Sequence, residues 1–482
     1  MALYSEVTAE LARAPTGPKV AALFDFDGTI IAGYSAFSLL KEQARRRHIG
    51  AREMLAISKA LTQFGAGKLA FDALLKISAE AMAGQLESDY WDLAEKIYEQ
   101  ELARRVFPEM RALIEAHQEL GHTVAIVSSA SPYQVMPCAR ALGIEHVMCS
   151  ELELENGAFT GNLGERICFG AGKVQAAEEL AKAQGCDLRK SYFYSDSYDD
   201  IELLERVGQP RAVNPSRRLR EVAERRAWPI RRFSSRGRPS LMDYARSAAA
   251  TGSVVTSVMS GLPVWALTGD RQEARNFSMS LFADTASALT GLKLVVRGEE
   301  NLWALRPAVF LINHQSKADV MITARLLRRN FAGIGKAEIR KMPLVGKAME
   351  MAGVVLIDRK NAASAIATMA PLVEKMKHEG LSVAVAPEGT RTVSKTLAPF
   401  KKGPFHLAMQ AGVPMVPIVI HNALDVAPKG DFVYRPGTVE VDVLPPIDVS
   451  QWTRANMAEH IEAVRQLFQN TLDNNHGSAR AS

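Results

Sequence analysis

Residues 308–319 constrain this chain more tightly than any other stretch. They open as an unbroken apolar run, Ala308-Val309-Phe310-Leu311-Ile312, and continue as Asn313-His314-Gln315-Ser316-Lys317-Ala318-Asp319. An apolar run with no polar face is the pattern of a strand buried on both sides, as in a parallel sheet covered by helices. If the strand stops at Asn313 and a helix begins near Ala318, Asp319 falls in the first helical turn. Its carboxylate can then turn back to accept a hydrogen bond from one imidazole nitrogen of His314. That bond fixes the ring's tautomer and leaves the other nitrogen as a general base. Such a base can take the proton of an alcohol while the oxygen attacks an acyl carbon. A histidine at a strand end is often structural, so the pair alone does not decide the chemistry.

The residues that follow keep alternating between strand and helix patterns. Strand-like runs lie at 354–357, 383–386, 416–420 and 439–443, and helical patterns at 320–329, 362–377, 402–410 and 457–472. That order predicts an α/β sheet with helices on its faces. Four blocks stand out along it: Asn313-His314 with Asp319; Gly353-Val354-Val355-Leu356-Ile357-Asp358-Arg359, preceded by Gly335-Lys336-Ala337-Glu338 and Met342-Pro343-Leu344-Val345-Gly346; Ala386-Pro387-Glu388-Gly389-Thr390-Arg391, followed by Phe400-Lys401-Lys402-Gly403; and Val413-Pro414-Met415-Val416-Pro417-Ile418. In this order they resemble the 1-acyl-glycerol-3-phosphate acyltransferase family, with an α/β glycerolipid acyltransferase fold. Leu356 and Ala386 stand where the family usually has phenylalanine. The resemblance implies His314 as base and Asp319 as its partner. It implies Lys336 and Arg359 on the phosphate of a lysophospholipid acceptor, with Glu388, Gly389 and Arg391 seating its glycerol-phosphate portion. An arginine fork suits a phosphate, and a glutamate can bind a glycerol hydroxyl. The implied donor is a thioester, acyl-CoA or acyl-carrier protein.

Near the amino terminus, Val20-Ala21-Ala22-Leu23-Phe24 is another apolar strand, now running into Asp25-Phe26-Asp27-Gly28-Thr29. Alternation along a strand sends Asp25 and Asp27 to one side. Carboxylates that close repel unless a cation or a shared proton lies between them, and Mg2+ takes oxygen ligands. Further on come Val124-Ala125-Ile126-Val127-Ser128-Ser129, a strand ending in hydroxyls, and Lys173 ahead of a helical pattern at 174–183. Then comes Ser191-Tyr192-Phe193-Tyr194-Ser195-Asp196-Ser197-Tyr198-Asp199-Asp200. Together these resemble the four motifs of haloacid dehalogenase superfamily phosphatases, on the phosphoserine-phosphatase-like branch, with Arg211-Ala212-Val213-Asn214-Pro215 as a further match. Ser195 stands where the family has glycine. The resemblance implies a Rossmann-like domain over residues 20–215. Asp25 would be the nucleophile that forms an aspartyl-phosphate, and Asp27 the acid and then the base. Ser128 and Lys173 would bind the phosphoryl group, and Mg2+ would lie among Asp25, Asp27, Asp196 and Asp200. Asp199 could support the ion indirectly or sit at a helix amino terminus, where the dipole favours an acid. Residues 33–106 read as amphipathic helix, through Leu39-Leu40, Met54-Leu55, Leu74-Leu75 and Leu93, broken at Gly65-Ala66-Gly67. They resemble the helical cap of such phosphatases, and Arg45-Arg46-Arg47-His48 reads as its solvated face.

At 482 residues the chain has room for two or three domains, and 47% hydrophobic with 23% charged residues is a folded composition. Residues 1–19 read as a tail without a secretion signal, since Glu6, Glu10 and two prolines interrupt any apolar core. Cys138, Cys149, Cys168 and Cys186 lack metal-site spacing and read as thiols in a reducing compartment. Residues 216–246 are crowded with arginine from Arg217 to Arg238 and read as a basic linker. No aromatic-rich binding fold or zinc spacing accompanies them, so nucleic acid is not the expected partner. Residues 247–269 carry no charge and exceed the ~20 residues needed to span a bilayer. Their Ser, Thr and Gly content and Pro263 weaken them as a span. With residues 277–292, which carry only Asp284, they predict helices docked in an anionic membrane interface over 247–295. The alternative is a buried hairpin on the catalytic sheet. The acyltransferase domain then covers 296–473, followed by a polar tail at 474–482. The expectation is a bifunctional phospholipid-biosynthesis enzyme, cytoplasmic and membrane-associated. It would make phosphatidic acid and hydrolyse a phosphomonoester. Two alternatives stand beside it: a phosphatase-like half that only regulates or binds, or one that acts on the acyltransferase's own lipid.

Overall fold

In the computed structural model, which describes residues 7–46, 55, 59, 76–77, 79–237, 239–342, 344–357, 362–393 and 396–473, the run ahead of Asp25 forms β1 (Ala21–Phe24), buried along its whole length. The chain divides into two units, Met1–Arg238 and Pro239–Ser482. In the first, β1 is joined by β2 (Thr123–Ser128), β3 (His146–Cys149), a hairpin of β4 (Leu152–Glu155) and β5 (Ala158–Leu163), β6 (Tyr192–Ser195), β7 (Gln209–Val213) and β8 (Ile230–Arg231). Six of them make a parallel sheet in the order β3-β2-β1-β6-β7-β8. One face packs Ala21, Leu23, Val127 and Phe193 against Ala176, Ala177 and Leu180 of the helix Ala171–Gln184. On the other face Phe24 stacks on Tyr194, ring centroids 4.7 Å apart. Uninterrupted apolar strands are what this two-sided burial requires.

Residues 216–246 do not form the expected linker. The helix Arg217–Arg225 is amphipathic, burying Leu219, Val222 and Ala223. β8 extends the sheet beside β7, and Leu241 already begins the next helix. Several of the arginines have partners: Arg218 lies 3.7 Å over the Tyr198 ring, Arg226 pairs with Glu205 at 2.6 Å, and Arg236 donates to the Val106 carbonyl. Most of the charge that looked like a tether lies on the solvent side of folded elements, and Arg236 is buried among them.

Of the expected cap, the helices Ser35–Arg46 and Glu87–Ile97 are described. Arg45 pairs with Glu42, while Arg47, His48, Met54, Leu74, Leu75 and the glycine break lie outside the described residues. Tyr90 and Ala94 pack with Tyr133 and with Phe159 of the β4–β5 hairpin, an element the sequence reading lacks. Cys138, Cys149 and Cys168 are buried free thiols, each pushed up to about 12 by burial, and Cys186 is half-buried.

The second unit contains β9 (Leu292–Arg297), β10 (Val309–Ile312), β11 (Phe331–Lys336), β12 (Val355–Ile357), β13 (Ser382–Val385), β14 (Met415–Ile420) and β15 (Gly437–Val443). They form one sheet in the order β12-β11-β13-β10-β14-β15-β9, parallel except at the β14–β15 pairing. β10 explains its own sequence. Ala308, Phe310 and Ile312 enter a core shared with the helices Leu241–Thr268, Arg271–Thr290 and Asp319–Leu327. Val309 and Leu311 enter another, with the helices Ala362–Glu379, Gly403–Ala411 and Met457–Asp473. Each large side chain so buried contributes about 1.5–3 kcal/mol.

The helices Leu241–Thr268 and Arg271–Thr290 make a hairpin that packs on the sheet, as the alternative reading of residues 247–295 expects. Val254, Val258, Met279 and Phe282 pack onto the sheet. Gly261 lets the two helices approach closely, since a Cβ there would lie 2.2 Å from the Ser278 hydroxyl. Met259, Trp265, Leu267 and Phe277 remain exposed. Leu241–Thr268 is long and apolar enough to cross a membrane, with mean hydropathy 1.3 over an 18-residue stretch that is 33% buried.

Candidate active sites

In the first unit the candidate residues collect at the carboxyl ends of β1, β2 and β6. Asp25 follows β1, and its peptide N–H donates to the Tyr194 carbonyl at 2.9 Å. The helix Ala171–Gln184 brings in Lys173, whose ammonium donates to Asp25 Oδ1 at 2.8 Å and to Asp200 Oδ2 at 2.9 Å. All three groups are buried. Burial pushes the Asp25 carboxyl up to about 6, Lys173 opposing and Asp200 adding to the rise. Burial also works against the Lys173 charge, but Asp200 and Asp25 outweigh it and hold the ammonium well above its ordinary range. Ser128 is buried at the end of β2, where its hydroxyl accepts from the Ala130 N–H at 3.2 Å.

Asp196 lies across Gly28. That glycine has φ +79°, and a Cβ on it would fall 2.2 Å from Asp196 Oδ2. The carboxylate therefore rests against the bare backbone of the loop after β1. It has no cationic partner among the described residues. Burial, then the charges of Asp25 and Asp200, hold its pKa well above the usual range.

Asp27 accepts the Ser35 N–H at 2.7 Å and the Ser35 hydroxyl at 3.0 Å, so its carboxylate caps the first cap helix. Loss of surrounding water pushes it up to about 7, a value suited to giving and taking a proton near neutrality. Two supports escape the sequence reading. Gln134 donates to the Ser35 hydroxyl at 2.8 Å, and Ser195 donates to Asp200 Oδ2 at 2.6 Å. The spacing of Ser131 and Gln134, which form a capping box, is the signal that marks the first. Asp199 is exposed and accepts from the Ser197 hydroxyl at 3.2 Å.

In the second unit, Asp319 is the first residue of its helix and 1% exposed. Its Oδ2 accepts three hydrogen bonds: from His314 Nδ1 at 2.7 Å and from the peptide N–H groups of Gln315 and Ser316, each at 2.9 Å. A carboxylate only accepts, so Nδ1 carries the proton and Nε2 is left as an acceptor on the base. The turn after β13 holds the backbone of His314 at both ends. Glu388 Oε1 accepts its N–H at 2.9 Å, and its carbonyl accepts the Thr392 N–H at 2.9 Å. Asn313 extends the β10–β14 pairing with its side chain, donating to the Ile420 carbonyl at 2.8 Å and accepting the Ile420 N–H at 2.7 Å.

The expectation that Glu388 receives a glycerol hydroxyl does not fit its surroundings. It is 2% exposed, and Oε2 accepts from the Thr392 hydroxyl at 3.2 Å and the Ala398 N–H at 3.3 Å. Both oxygens hold the chain itself. Gly389 turns the loop with φ +73°. Arg391 follows, half-buried, beside Lys429, which donates to its carbonyl at 3.1 Å. Lys336 ends β11 with its side chain exposed, and Arg359 lies outside the described residues.

Two family models match this chain: haloacid dehalogenase-like hydrolase over residues 22–205 and acyltransferase over residues 293–421. A probable phosphatase of Mycobacterium tuberculosis is 36% identical over 256 residues, 52% of this chain and 88% of that one. A phosphoserine phosphatase of the same organism is 33% identical over 45% of this chain and 72% of its own length. A 1-acyl-sn-glycerol-3-phosphate acyltransferase of Saccharomyces cerevisiae is 32% identical over 208 residues, 43% of this chain and 68% of its own. The chain is a haloacid dehalogenase-like hydrolase fused to an acyltransferase. It is an enzyme in both halves, an α/β phosphatase followed by an α/β acyltransferase.

For the phosphatase half, the question of a metal turns on which oxygens are free. No three His, Cys, Asp or Glu side chains among the described residues converge to hold a metal ion. Of the four carboxylates expected around Mg2+, Asp27 is committed to Ser35, and Asp200 to Lys173 and Ser195. Asp25 and Asp196 remain, two oxygen donors whose pKa values are both raised, that of Asp196 in part by the Asp25 charge, and which Lys173 neutralises only in part. That pair fits Mg2+, which typically takes one or two carboxylates and fills its other positions with water and phosphate oxygens.

Proposed function

We propose that the first unit hydrolyses a phosphomonoester through an aspartyl-phosphate on Asp25, and that the second acylates 1-acylglycerol-3-phosphate to phosphatidic acid. In the phosphatase, Asp25 attacks phosphorus while Asp27 gives its proton to the departing alkoxide. Asp27 then takes a proton from the water that attacks the aspartyl-phosphate, releasing phosphate and restoring Asp25. Lys173 holds Asp25 in line for attack. Asp25 and Asp196 would hold Mg2+, which would supply positive charge to offset that of the phosphoryl group.

In the acyltransferase, His314 Nε2 takes the proton of the acceptor's free hydroxyl as that oxygen attacks the thioester carbon. The thiolate of acyl-CoA or acyl-carrier protein leaves and recovers the proton. Glu388 and Thr392 keep the histidine's backbone fixed during this exchange. The exposed residues of the helix hairpin, Met259, Trp265, Leu267 and Phe277, would rest in the membrane that carries the lipid.

The observation that carries the reading is Asp319 Oδ2, gathered by His314 Nδ1 and two peptide donors, which leaves one ring nitrogen ready to accept. The yeast relative's name supports the acceptor, and the phosphoserine phosphatase relative supports a small phosphomonoester. The test measures both activities on one preparation: phosphate release from phosphoserine and from lysolipids, and acyl transfer from labelled acyl-CoA. Asp25→Asn should abolish only the first, and His314→Ala should lower only the second, by about 10²–10⁴-fold. Chelation with EDTA should stop phosphate release and spare acyl transfer. Transfer that survives His314→Ala, or release that survives Asp25→Asn, overturns the corresponding half.

A further inference from the structure

The loop between His314 and Asp319 contains a cation that the acyl-transfer chemistry above does not use. Lys317 Nζ lies 4.0 Å from the centroid of the Tyr434 ring and 5.2 Å from that of Phe432, and it donates to the Phe432 carbonyl. An ammonium has three donors, and among the described residues this carbonyl takes one of them. The aromatic wall is anchored. The Tyr434 peptide N–H donates to the Ser247 hydroxyl at 2.9 Å, and its phenol hydrogen-bonds Thr251, both on the helix Leu241–Thr268.

The groups facing Lys317 are Arg391, Asp431 and the Tyr434 phenol, with Lys429 behind Arg391. Asp431 is turned toward Arg435, 3.5 Å away. Neither Lys317 nor Arg391 has a carboxylate partner among the described residues. Burial, with the Arg391 charge adding and Asp431 opposing, pushes the Lys317 ammonium down to about 8. Two partly buried cations near one another, with Asp431 offsetting only part of their charge and itself turned toward Arg435, favour a doubly charged ligand between them.

We infer that Lys317 and Arg391 together grip the phosphate of the acyltransferase's acceptor, with the anchored Tyr434 ring as one wall of the site. The inference rests on the phosphorylated acceptor proposed above and adds a residue to its recognition. An acceptor phosphate fits better than a donor phosphate for a reason of length. In 1-acylglycerol-3-phosphate the attacking oxygen and the phosphate sit on adjacent carbons, so the phosphate must bind close to His314. In acyl-CoA a whole pantetheine arm separates the thioester from the diphosphate. Arg391 is held on the same turn whose next residue, Thr392, donates to the His314 carbonyl.

The test compares wild type, Lys317→Met and Lys317→Arg in initial-rate assays. The acceptors are 1-oleoylglycerol-3-phosphate and phosphate-free monooleoylglycerol, and the KM for oleoyl-CoA is measured in parallel. Lys317→Met should raise the KM for the phosphorylated acceptor about 10- to 100-fold, the loss of a charge-assisted contact. It should leave kcat and the oleoyl-CoA KM within about twofold, and narrow the preference for the phosphorylated acceptor. Lys317→Arg should keep most of the affinity. The wild-type acceptor KM should also rise between pH 7 and pH 9 as the ammonium is lost, while that of Lys317→Arg stays flat. This pH comparison stands even if Lys317→Met folds poorly. A rise confined to the oleoyl-CoA KM, an unchanged acceptor KM, or equal loss in both variants overturns the inference. If wild type transfers no acyl group to the phosphorylated lipid, the proposed activity fails instead.

Discussion

Replacing Asp319 by asparagine separates the two things its carboxylate does, which are to orient His314 and to supply charge. All three donors converge on Oδ2, while Oδ1 is buried with no hydrogen-bond partner among the described residues. Two of those donors are peptide N–H groups that cannot turn away. In Asp319→Asn the amide oxygen must therefore take the Oδ2 position and leave its NH2 where Oδ1 was. The imidazole keeps its tautomer, and the base keeps its place. What disappears is the negative charge opposite the imidazolium that forms as the proton arrives. At about 4 Å and an effective dielectric near 20, that attraction is about 4 kcal/mol. The amide dipole retains part of it, so kcat for acyl transfer should fall by about 10²–10³-fold. KM should stay within about twofold, because Asp319 is 1% exposed and does not reach substrate. Asp319→Ala should also lower the melting temperature of the second unit, since it strands three donors at about 1–3 kcal/mol each. Steady-state kinetics with thermal melts decide the matter. An Asp319→Asn enzyme with kcat within threefold of wild type, or a loss borne by KM, refutes the reasoning.

Other outcomes follow from the first unit. His117 is fully buried, its ring bonded to His122 Nδ1 at 2.7 Å and to the Tyr194 hydroxyl at 2.9 Å. Burial, with the neighbouring His122 and Arg211 charges, holds its pKa well below 6.5. Below pH 6.5 the unfolded chain binds a proton that the folded chain refuses. The stability that His117 contributes should therefore fall as pH drops from about 6.5 to 5, by up to about 1.4 kcal/mol per pH unit. It is read as the difference between wild type and His117→Gln in urea melts, because Asp25, Asp27 and Asp196 with their raised pKa values gain protons on folding in the same range and oppose it. A difference that does not change over that range contradicts it. Gly28→Ala, with its Cβ 2.2 Å from Asp196 Oδ2 and a backbone at φ +79°, should abolish phosphate release while acyl transfer by the same preparation persists. Ser195→Ala removes one hydrogen bond to Asp200, which Lys173 still holds. Phosphate release should then slow only about 5-fold, the equivalent of about 1 kcal/mol.

What the sequence discloses here is local chemistry at strand ends, and what it hides is long-range placement. The burial of β1 and β10 follows from apolar runs, and the His314–Asp319 bond follows from one short loop between strand and helix. Glu388 reads as a substrate ligand because the family resemblance implies one and a carboxylate can bind a glycerol hydroxyl. Only the fold shows that its oxygens are used by His314, Thr392 and Ala398, the first of them 74 residues away. The arginines of residues 216–246 read as a tether because charge alone does not distinguish a solvated helix face from a linker. Lys173 is legible as a cation in a motif, but not its position between Asp25 and Asp200.

The two halves use the same solution to the problem of exposing reactive groups on a buried sheet. In the first, β1 lies between β2 and β6, with β3 beyond the one and β7 and β8 beyond the other. In the second, β10 lies between β13 and β14, with β11 and β12 on one side and β15 and β9 on the other. Loops leaving the carboxyl ends of such a strand and its neighbours diverge to opposite sides, and the crevice between them is where open α/β sheets bind ligands. Asp25 immediately follows the first of these strands, and His314 stands two residues past Ile312, the end of the second. The residue between, Asn313, accounts for that offset. By pairing both backbone groups of Ile420 through its side chain, it carries the β10–β14 ladder one step past the strand. The base is thus held at the lip of the crevice by the rigidity of the sheet rather than by the loop that follows it.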